Sequence, residues 1–329
     1  MKSKVGSDGN AGNIFVSLLE TTTSNQAVFL LLILFVMLGV FALLSPHFFS
    51  SSNLTEITIQ ASVISMIAVG QTMVILSSGI DLGAGSIVAL TAVVSAMAME
   101  QTGMLIPSYI IGLAIGAVCG LFNGFVIGKM RIPPFVATLG LMGIARGIAL
   151  IITNGVPQYQ LTPGSDFLGQ GRVLGVPVPT IAVFVLYLLS YLILSYTRRG
   201  RYTYAIGSNA QASFLSGINV SRQIIWIYTI AGVTAAIAGI TELSRVGSGQ
   251  PAAGGDYALD SIAAVVLGGT SLMGGFGNIW GSLIGSLIIA SLRNGLNVMN
   301  INAFWQQVVI GVIVIMAVYA DQLRHQTRK

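Results

Sequence analysis

Long apolar runs alternate with short polar intervals along most of this sequence. Many of the runs approach the roughly 20 residues that a helix needs to cross a bilayer, and others are cut short by glycine. They are 27–44, 57–76, 86–99, 108–128, 134–153, 180–196, 224–241, 259–268, 280–298 and 304–320. The pattern predicts an all-α, polytopic membrane protein with about ten transmembrane helices.

The polar segments at the two ends and between the runs predict the topology. We expect a cytoplasmic tail at 1–26, a transmembrane domain at 27–320 and a second cytoplasmic tail at 321–329. No small-residue cleavage pattern follows the first run, so we interpret it as a retained helix. This threading assigns to the cytoplasm Lys2, Lys4, Lys129, Arg131, Arg198, Arg199, Arg201, Arg222, Arg324, Arg328 and Lys329, and leaves only Arg172 and Arg245 outside. The asymmetry has the sign that the positive-inside rule predicts.

Composition agrees with a membrane protein and argues against other classes. The chain is 54% hydrophobic and 8% charged, with a mean hydropathy of +0.85, whereas soluble domains are roughly a quarter charged. The net charge of +5 is spread over short intervals, so we expect the lipid bilayer as a partner and no nucleic acid. The single cysteine, Cys119, excludes an intrachain disulfide and a multi-cysteine metal site.

Sequence signatures of catalysis are absent. The stretch 124–130 resembles a phosphate-binding loop, but its glycine spacing is one residue short and Met130 replaces the required Ser or Thr. Neither a zinc signature nor a nucleophile-elbow motif is present. We therefore expect a non-catalytic protein without a cofactor or a metal site.

Two apolar runs end in glycine-rich segments. The run 57–76 leads into Ser-Ser-Gly-Ile-Asp-Leu-Gly-Ala-Gly, and 259–268 leads into Gly-Thr-Ser-Leu-Met-Gly-Gly-Phe-Gly. Irregular backbone at membrane depth is stable only where it is buried in protein or lines a wet cavity. The segments are either part of a transport path or plain turns between helices. Five runs in each half, with breaks at corresponding places, favour the hypothesis of inverted five-helix repeats.

Glycine recurs every fourth residue in the run 108–128, at Gly112, Gly116, Gly120, Gly124 and Gly128. On a helix this spacing forms one smooth face, which allows a second helix to approach closely. We expect that partner in the same chain, although a second copy would also fit the pattern.

Polar side chains inside the runs are candidates for a path, because such groups are costly in a membrane unless they are paired or hydrated. The candidates are Gln71, Asp81, Asn123, Arg146, Arg293, Asn294 and Gln306, with Gln307 beside them. Asp81 is predicted to pair with Arg146 or Arg293. Amide groups suit a neutral polyhydroxyl solute, and no cluster resembles an ion-coupling site.

The polar interval 198–222 contains a predicted short helix. Ser208 is expected to be its N-cap, and Gly217 is expected to end it in the left-handed conformation. The interval is either a positive loop that only fixes orientation or a docking surface, since Phe214, Leu215 and Ile218 give the helix an apolar side.

Several motifs of this chain together resemble the permease subunits of bacterial ribose-type ABC sugar importers, from about residue 44 onward. They are Ser-Ser-Gly-Ile-Asp-Leu at 77–82, Pro-Phe-Val-Ala-Thr-Leu-Gly at 134–140, Leu-Ser-Gly-Ile-Asn-Val at 215–220 and Asp-Ser-Ile-Ala-Ala-Val-Val-Leu-Gly-Gly-Thr-Ser-Leu at 260–272. The resemblance implies a permease of the bacterial inner membrane that works as a pair of copies. It also implies an ATP-binding subunit with tandem nucleotide-binding domains and a periplasmic sugar-binding protein.

The resemblance also implies that the short helix docks on the ATPase. The coupling residues are then Ser208, Asn209, Ala210, Gln211, Ala212, Ser213, Phe214, Leu215, Ser216 and Gly217. Related chains commonly have Glu-Ala-Ala where this one has Gln211, Ala212 and Ser213, so a charge is missing here. A ribose-like pentose is the first candidate solute. A branched-chain amino-acid permease, an ion-coupled secondary transporter and an intramembrane hydrolase are the alternatives.

Overall fold

The computed structural model describes residues 26–326 as a bundle of helices with one small hairpin. The elements are α1 Gln26–Leu44, α2 Ser51–Leu76, α3 Ala84–Thr102, α4 Leu105–Gly128, α5 Pro134–Thr153, α6 Phe167–Gln170, β1 Arg172–Val173, β2 Val176–Pro177, α7 Val178–Tyr196, α8 Arg198–Ser208, α9 Ala210–Leu215, α10 Val220–Val246, α11 Tyr257–Leu267, α12 Ile279–Val298 and α13 Ala303–Gln326. The predicted tail at 1–26, apart from Gln26, and the last three residues lie outside the described residues.

The prediction of an all-α polytopic membrane protein is confirmed. Each of the ten apolar runs falls on one helix. Within residues 26–326, seven helices, α2 to α5, α7, α10 and α12, are long and apolar enough to cross a membrane, while the apolar stretches of α1, α11 and α13 are shorter. The number of crossings therefore stays a prediction.

Local sequence explains where several helices begin and end. The Ser50 side chain accepts a hydrogen bond from the backbone amide of Asn53 and caps α2, as expected of a serine at this position. Proline occupies the first turn of both α5 and α7, where its missing N–H costs nothing. Gly103 and Gly247 end α3 and α10 in the left-handed conformation, which glycine adopts without strain.

The two halves of the chain pack into each other at the centre. Helix α10 of the second half packs against α4 and α3 of the first half, and α2 of the first half packs against α12 and α11 of the second. At one of these contacts the Thr72 hydroxyl donates to the Ser282 hydroxyl over 2.8 Å. If α2, α3 and α4 correspond to α10, α11 and α12, the two sets of contacts are equivalent. This reciprocity supports the inverted-repeat hypothesis.

The glycine face of α4 lies mainly against α10 of the same chain, which confirms the intrachain alternative. A methyl group on Gly124 would lie 2.6 Å from the Ile225 Cα atom, and one on Gly128 would lie 2.8 Å from the Ser221 carbonyl oxygen. Gly112, at the other end of the face, contacts Ser95 of α3. The backbones of α4 and α10 therefore approach as closely as glycine permits, and dispersion contacts replace the hydrophobic drive that lipid does not supply.

Both predicted glycine-rich breaks interrupt the helices. The first occupies 77–83 between α2 and α3, and the second occupies 268–278 between α11 and α12. A further non-helical segment, 247–256, separates α10 from α11, and its Gly254 lies against Gly85 in the first turn of α3. The sequence did not predict the hairpin of β1 and β2, in which Arg172 pairs with Pro177.

Candidate coupling surface and translocation path

The polar interval 198–222 forms two consecutive helices, α8 and α9. Thr197 caps α8, since its hydroxyl accepts from the Gly200 amide over 3.2 Å. Asn209 caps α9, since its Oδ1 atom accepts from the Ala212 amide over 2.8 Å. The prediction of Ser208 as the cap is wrong because α8 extends through Ser208, whose hydroxyl donates to the Tyr204 carbonyl. Gly217 has a φ of 83°, as predicted for the end of the short helix.

The end of α9 presents an apolar pair on the molecular surface. The Phe214 and Leu215 side chains are 68% and 78% exposed, whereas Ser213 on the opposite side is buried. Arg198, Arg201 and Arg222 are also exposed nearby in sequence. Two adjacent exposed apolar side chains within a basic segment are typical of a surface that another protein covers.

Hydrogen bonds to the start of α10 and to the second break fix α8 on the bundle. The buried Gln223 side chain donates to the Arg199 carbonyl over 2.9 Å and to the Thr203 hydroxyl over 3.0 Å. The Tyr204 hydroxyl donates to the Gly277 carbonyl over 3.1 Å. Burial raises the pKa of the Tyr204 phenol, so its hydroxyl is even less prone to ionise than that of an exposed tyrosine.

Three backbone segments meet at the end of α8, and we call this contact the inner junction. The Ser78 hydroxyl lies 2.9 Å from the Gly207 carbonyl oxygen and 2.8 Å from that of Met273. The Gly275 amide donates to the Leu76 carbonyl over 2.9 Å. A methyl group on Gly207 would lie 2.6 Å from the Gly275 nitrogen, so these backbones touch directly. The inner junction therefore connects α8 to both glycine-rich breaks.

Three of the predicted path residues, all polar and buried, lie close to the first break. Gln71 donates to the Asp81 carbonyl over 2.9 Å, and one Asp81 carboxylate oxygen accepts from the Gly83 amide over 2.8 Å. Asn123 is fully buried, and within the described part of the chain neither its amide nitrogen nor its amide oxygen has a hydrogen-bond partner. A methyl group on Gly83 would lie 3.2 Å from the Asp81 Oδ1 atom and 3.8 Å from the Asn123 Nδ2 atom. The two side chains are thus neighbours.

The predicted pairing of Asp81 with an arginine is wrong. Arg146 instead donates through Nη1 to the Pro251 carbonyl over 2.8 Å, and Arg293 binds Asp260. Arg146 lies on the wall of a cavity of about 440 Å³ between α3, α5 and the segment 247–256. The sequence could not indicate these partners, because they meet through packing between distant segments.

Arg293 belongs to an ionic group that sequence reasoning found only in part. Its Nη2 atom lies 2.7 Å from the Asp260 Oδ2 atom and 3.9 Å from the Asp256 Oδ2 atom. The Gln307 amide donates to Asp256 over 3.0 Å. These four side chains line a cavity of about 240 Å³. The four-residue spacing of Asp256 and Asp260 was the missed signal, because it predicts two carboxylates on one helical face.

Asn294 and Gln306 make hydrogen bonds within the bundle. Asn294 and Asn53 exchange two hydrogen bonds between their side-chain amides, each of 3.0 Å. Gln306 donates to the Ile301 carbonyl over 3.0 Å. Both residues are largely buried, and each side-chain amide has a hydrogen-bond partner inside the protein.

Comparison with known proteins defines the class to which this chain belongs. Residues 53–318 match the family described as branched-chain amino acid transport system / permease component, and the chain belongs to that family. It is 44% identical over 295 residues to the ribose import permease protein RbsC of Escherichia coli (strain K12), covering 88% of this chain and 92% of that protein.

Other relatives are similar in length. The ribose import permease protein RbsC of Bacillus subtilis (strain 168) is 43% identical, with 88% of this chain and 90% of the relative covered. The D-allose transport system permease protein AlsC of Escherichia coli (strain K12) is 36% identical with the same coverage. These relatives confirm the resemblance drawn from the motifs. No solved structure matches the chain.

Proposed function

We propose that this chain is the membrane-spanning permease subunit of an ATP-driven importer for a monosaccharide, with a ribose-like pentose as the first solute to test. Relatives that match nearly the full chain are named as ribose and allose permeases. ATP hydrolysis belongs to a separate subunit, because the sequence has no phosphate-binding loop.

One observation carries the proposal: the exposed pair Phe214 and Leu215 is connected through α8 and the inner junction to both glycine-rich breaks. A surface that binds a motor protein has to be linked mechanically to the path that it opens. In this proposal, the coupling residues Ser208 to Gly217 dock on the ATPase. Closure of the ATPase then moves α8, and the inner junction passes the motion to the segments 77–83 and 268–278.

The proposed assembly contains two permease copies, an ATP-binding subunit with tandem nucleotide-binding domains and a periplasmic sugar-binding protein. It lies in the bacterial inner membrane with both termini of the permease in the cytoplasm. The resemblance of the motifs at 77–82, 134–140, 215–220 and 260–272 to those of sugar-importer permeases supports the pair of copies.

The proposed path uses the polar residues of the first break and the two cavities. Gln71, Asp81 and Asn123 lie at the first break, and Arg146 and Arg293 each line a cavity. Asn294 and Gln306 stay predicted path residues, and their hydrogen bonds within the bundle give them a structural role as well.

Reconstitution tests the transport class. The permease is placed in liposomes with its ATP-binding subunit and sugar-binding protein, and uptake of labelled ribose is measured with and without ATP. We expect uptake that requires ATP and all three components and that persists when ionophores dissipate ion gradients. Uptake by the permease alone, driven by an ion gradient, would show a secondary transporter and refute the proposal.

A surface double variant tests the coupling contact. Phe214→Ser with Leu215→Ser should abolish co-purification of the ATP-binding subunit, because it removes the exposed apolar pair without altering a buried residue. Leu174→Ser is the matched control, since Leu174 is fully exposed on the distant hairpin. If the double variant retains the ATP-binding subunit as fully as the control does, the docking assignment is wrong.

A branched-chain amino acid is the second candidate solute, and the description of the matching family favours it. Competition separates the two candidates in the same liposomes. We expect unlabelled ribose to inhibit the uptake and leucine to have no effect, and the reverse result would select the amino acid.

A further inference from the structure

We propose that the cavity between α11, α12 and α13 is a contact site for the hydroxyl groups of the transported sugar, an inference that rests on the proposed function. The cavity measures about 240 Å³, or roughly eight water molecules at about 30 Å³ each. This volume is just below the range of ordinary ligand pockets, which begins at about 300 Å³. It suits a single sugar ring.

The cavity wall carries two carboxylates but only one guanidinium group. Arg293 is engaged by Asp260, which is almost fully buried, and lies 3.9 Å from Asp256. One guanidinium group therefore serves two carboxylates, and the Asp256 side chain keeps 43% of its surface exposed. A carboxylate within a transmembrane bundle needs a close partner or a hydrated space. Asp256 thus favours polar contents in the cavity.

Unused hydrogen-bonding capacity points in the same direction. The buried Nε atom of Arg293 has no hydrogen-bond partner within the described part of the chain. The Gln307 amide reaches Asp256 over 3.0 Å from an exposed position at the start of α13. Carboxylates only accept, guanidinium groups only donate and amides do both. Neighbouring sugar hydroxyls, which donate and accept, complement this combination better than a cation does.

The remaining wall is apolar and has one open position. Leu259, Ile310 and Val314 complete the lining together with Gly311, where an added methyl group would meet no described atom within 4 Å. A sugar ring has C–H faces as well as hydroxyl edges, so a wall with one polar and one apolar side matches both.

The position of the cavity fits a passing solute. Asp256 is the last residue of the segment 247–256, and Gly254 and Gly255 of the same segment line the cavity that contains Arg146. Cavities with charged residues on their walls thus flank both sides of one non-helical segment. Such segments occur where backbone lines a transport path.

Uptake of deoxygenated sugars tests the site. The variants Asp256→Asn and Gln307→Leu are reconstituted with the same ATP-binding subunit and sugar-binding protein, and uptake of ribose is compared with that of each monodeoxyribose. Glu100→Gln is the matched control, because Glu100 is an exposed carboxylate at the far end of α3. The sugar preference of the binding protein is the same for every variant, so it cancels when the variants are compared. Binding-protein-stimulated ATP hydrolysis is measured in parallel.

We expect both variants to lower ribose uptake about tenfold, which corresponds to about 1.4 kcal/mol, with ATP hydrolysis retained. The preference for ribose over one particular monodeoxyribose should also shrink, because a lost contact no longer distinguishes the two sugars. If the ratio of ribose uptake to monodeoxyribose uptake stays unchanged in both variants, whatever the overall uptake, the assignment of the site is wrong. The site would also be overturned if uptake fell equally for every sugar and added Na⁺ restored it, because a cation would then occupy the cavity. Failure of the proposed function differs, because wild-type protein would then show no ATP-dependent uptake.

Discussion

Replacing Gly124 with alanine should destabilise the bundle, because the backbone of α10 occupies the space that a methyl group needs. The added Cβ atom would lie 2.6 Å from the Ile225 Cα atom, 2.9 Å from its carbonyl oxygen and 3.2 Å from its carbonyl carbon. Ordinary contacts are 3.4–4 Å, so α10 would have to move by about 1 Å. All three atoms belong to the backbone, and no side chain can rotate to make room.

The cost can be estimated with a matched control. Overpacking of this kind costs about 1–3 kcal/mol, while alanine in a helix interior gains about 1 kcal/mol over glycine. Gly39→Ala in α1 receives the same helical gain without the clash, since no described atom lies within 4 Å of the added methyl. We therefore expect Gly124→Ala to be less stable than Gly39→Ala by about 1–3 kcal/mol.

Thermal stability in detergent measures this difference. Samples are heated, and the remaining monodisperse protein is quantified by fluorescence-detected size-exclusion chromatography, since unfolding of such proteins is generally irreversible. A midpoint that is lower by roughly 2–10 °C is expected. Equal midpoints for the two variants would show that α4 and α10 do not pack in this way.

Three further predictions concern the ionic group, the α9 cap and the inner junction. Arg293→Met should lower thermal stability by about 3–5 kcal/mol because it leaves Asp260 buried without its partner, and combining it with Asp260→Leu should restore most of the loss in the same heating assay. Asn209→Ala should weaken α9 by about 1 kcal/mol and reduce the ATP-dependent uptake, whereas Asn209→Asp, which keeps a capping oxygen, should retain activity. Ser78→Ala should leave the ATP-binding subunit bound but lower the sugar imported per ATP hydrolysed, and an unchanged ratio would exclude a role of this hydroxyl in coupling.

The sequence was most informative where one local constraint decides the structure. A lipid environment requires every backbone group to be paired within a helix, so apolar runs alone predict the helices. The glycine face of α4 and the left-handed Gly217 are similarly local, because the four-residue spacing and the short helix before the glycine are visible in the chain. The resemblance then added the class of protein, which no spacing in this chain could define.

Contacts between distant segments were beyond sequence reasoning. Ser208 and Asn209 are both good helix caps, and the choice between them depends on α8, whose helical structure the polar interval did not reveal. Arg293 forms its ion pair with Asp260 only because α12 packs against α11. The inner junction consists mainly of backbone contacts, which leave no residue type as a signal except glycine.

The reciprocal packing of the two halves also constrains how the chain is made. Helix α4 is synthesised about 100 residues before α10, and at about 5–20 residues per second this separates them by roughly 5–20 s. During that time the glycine face of α4 has no α10 to cover it and is exposed to lipid or to the insertion machinery. The first five helices therefore do not form a finished unit, and the packing of α4 is completed only when α10 has been inserted.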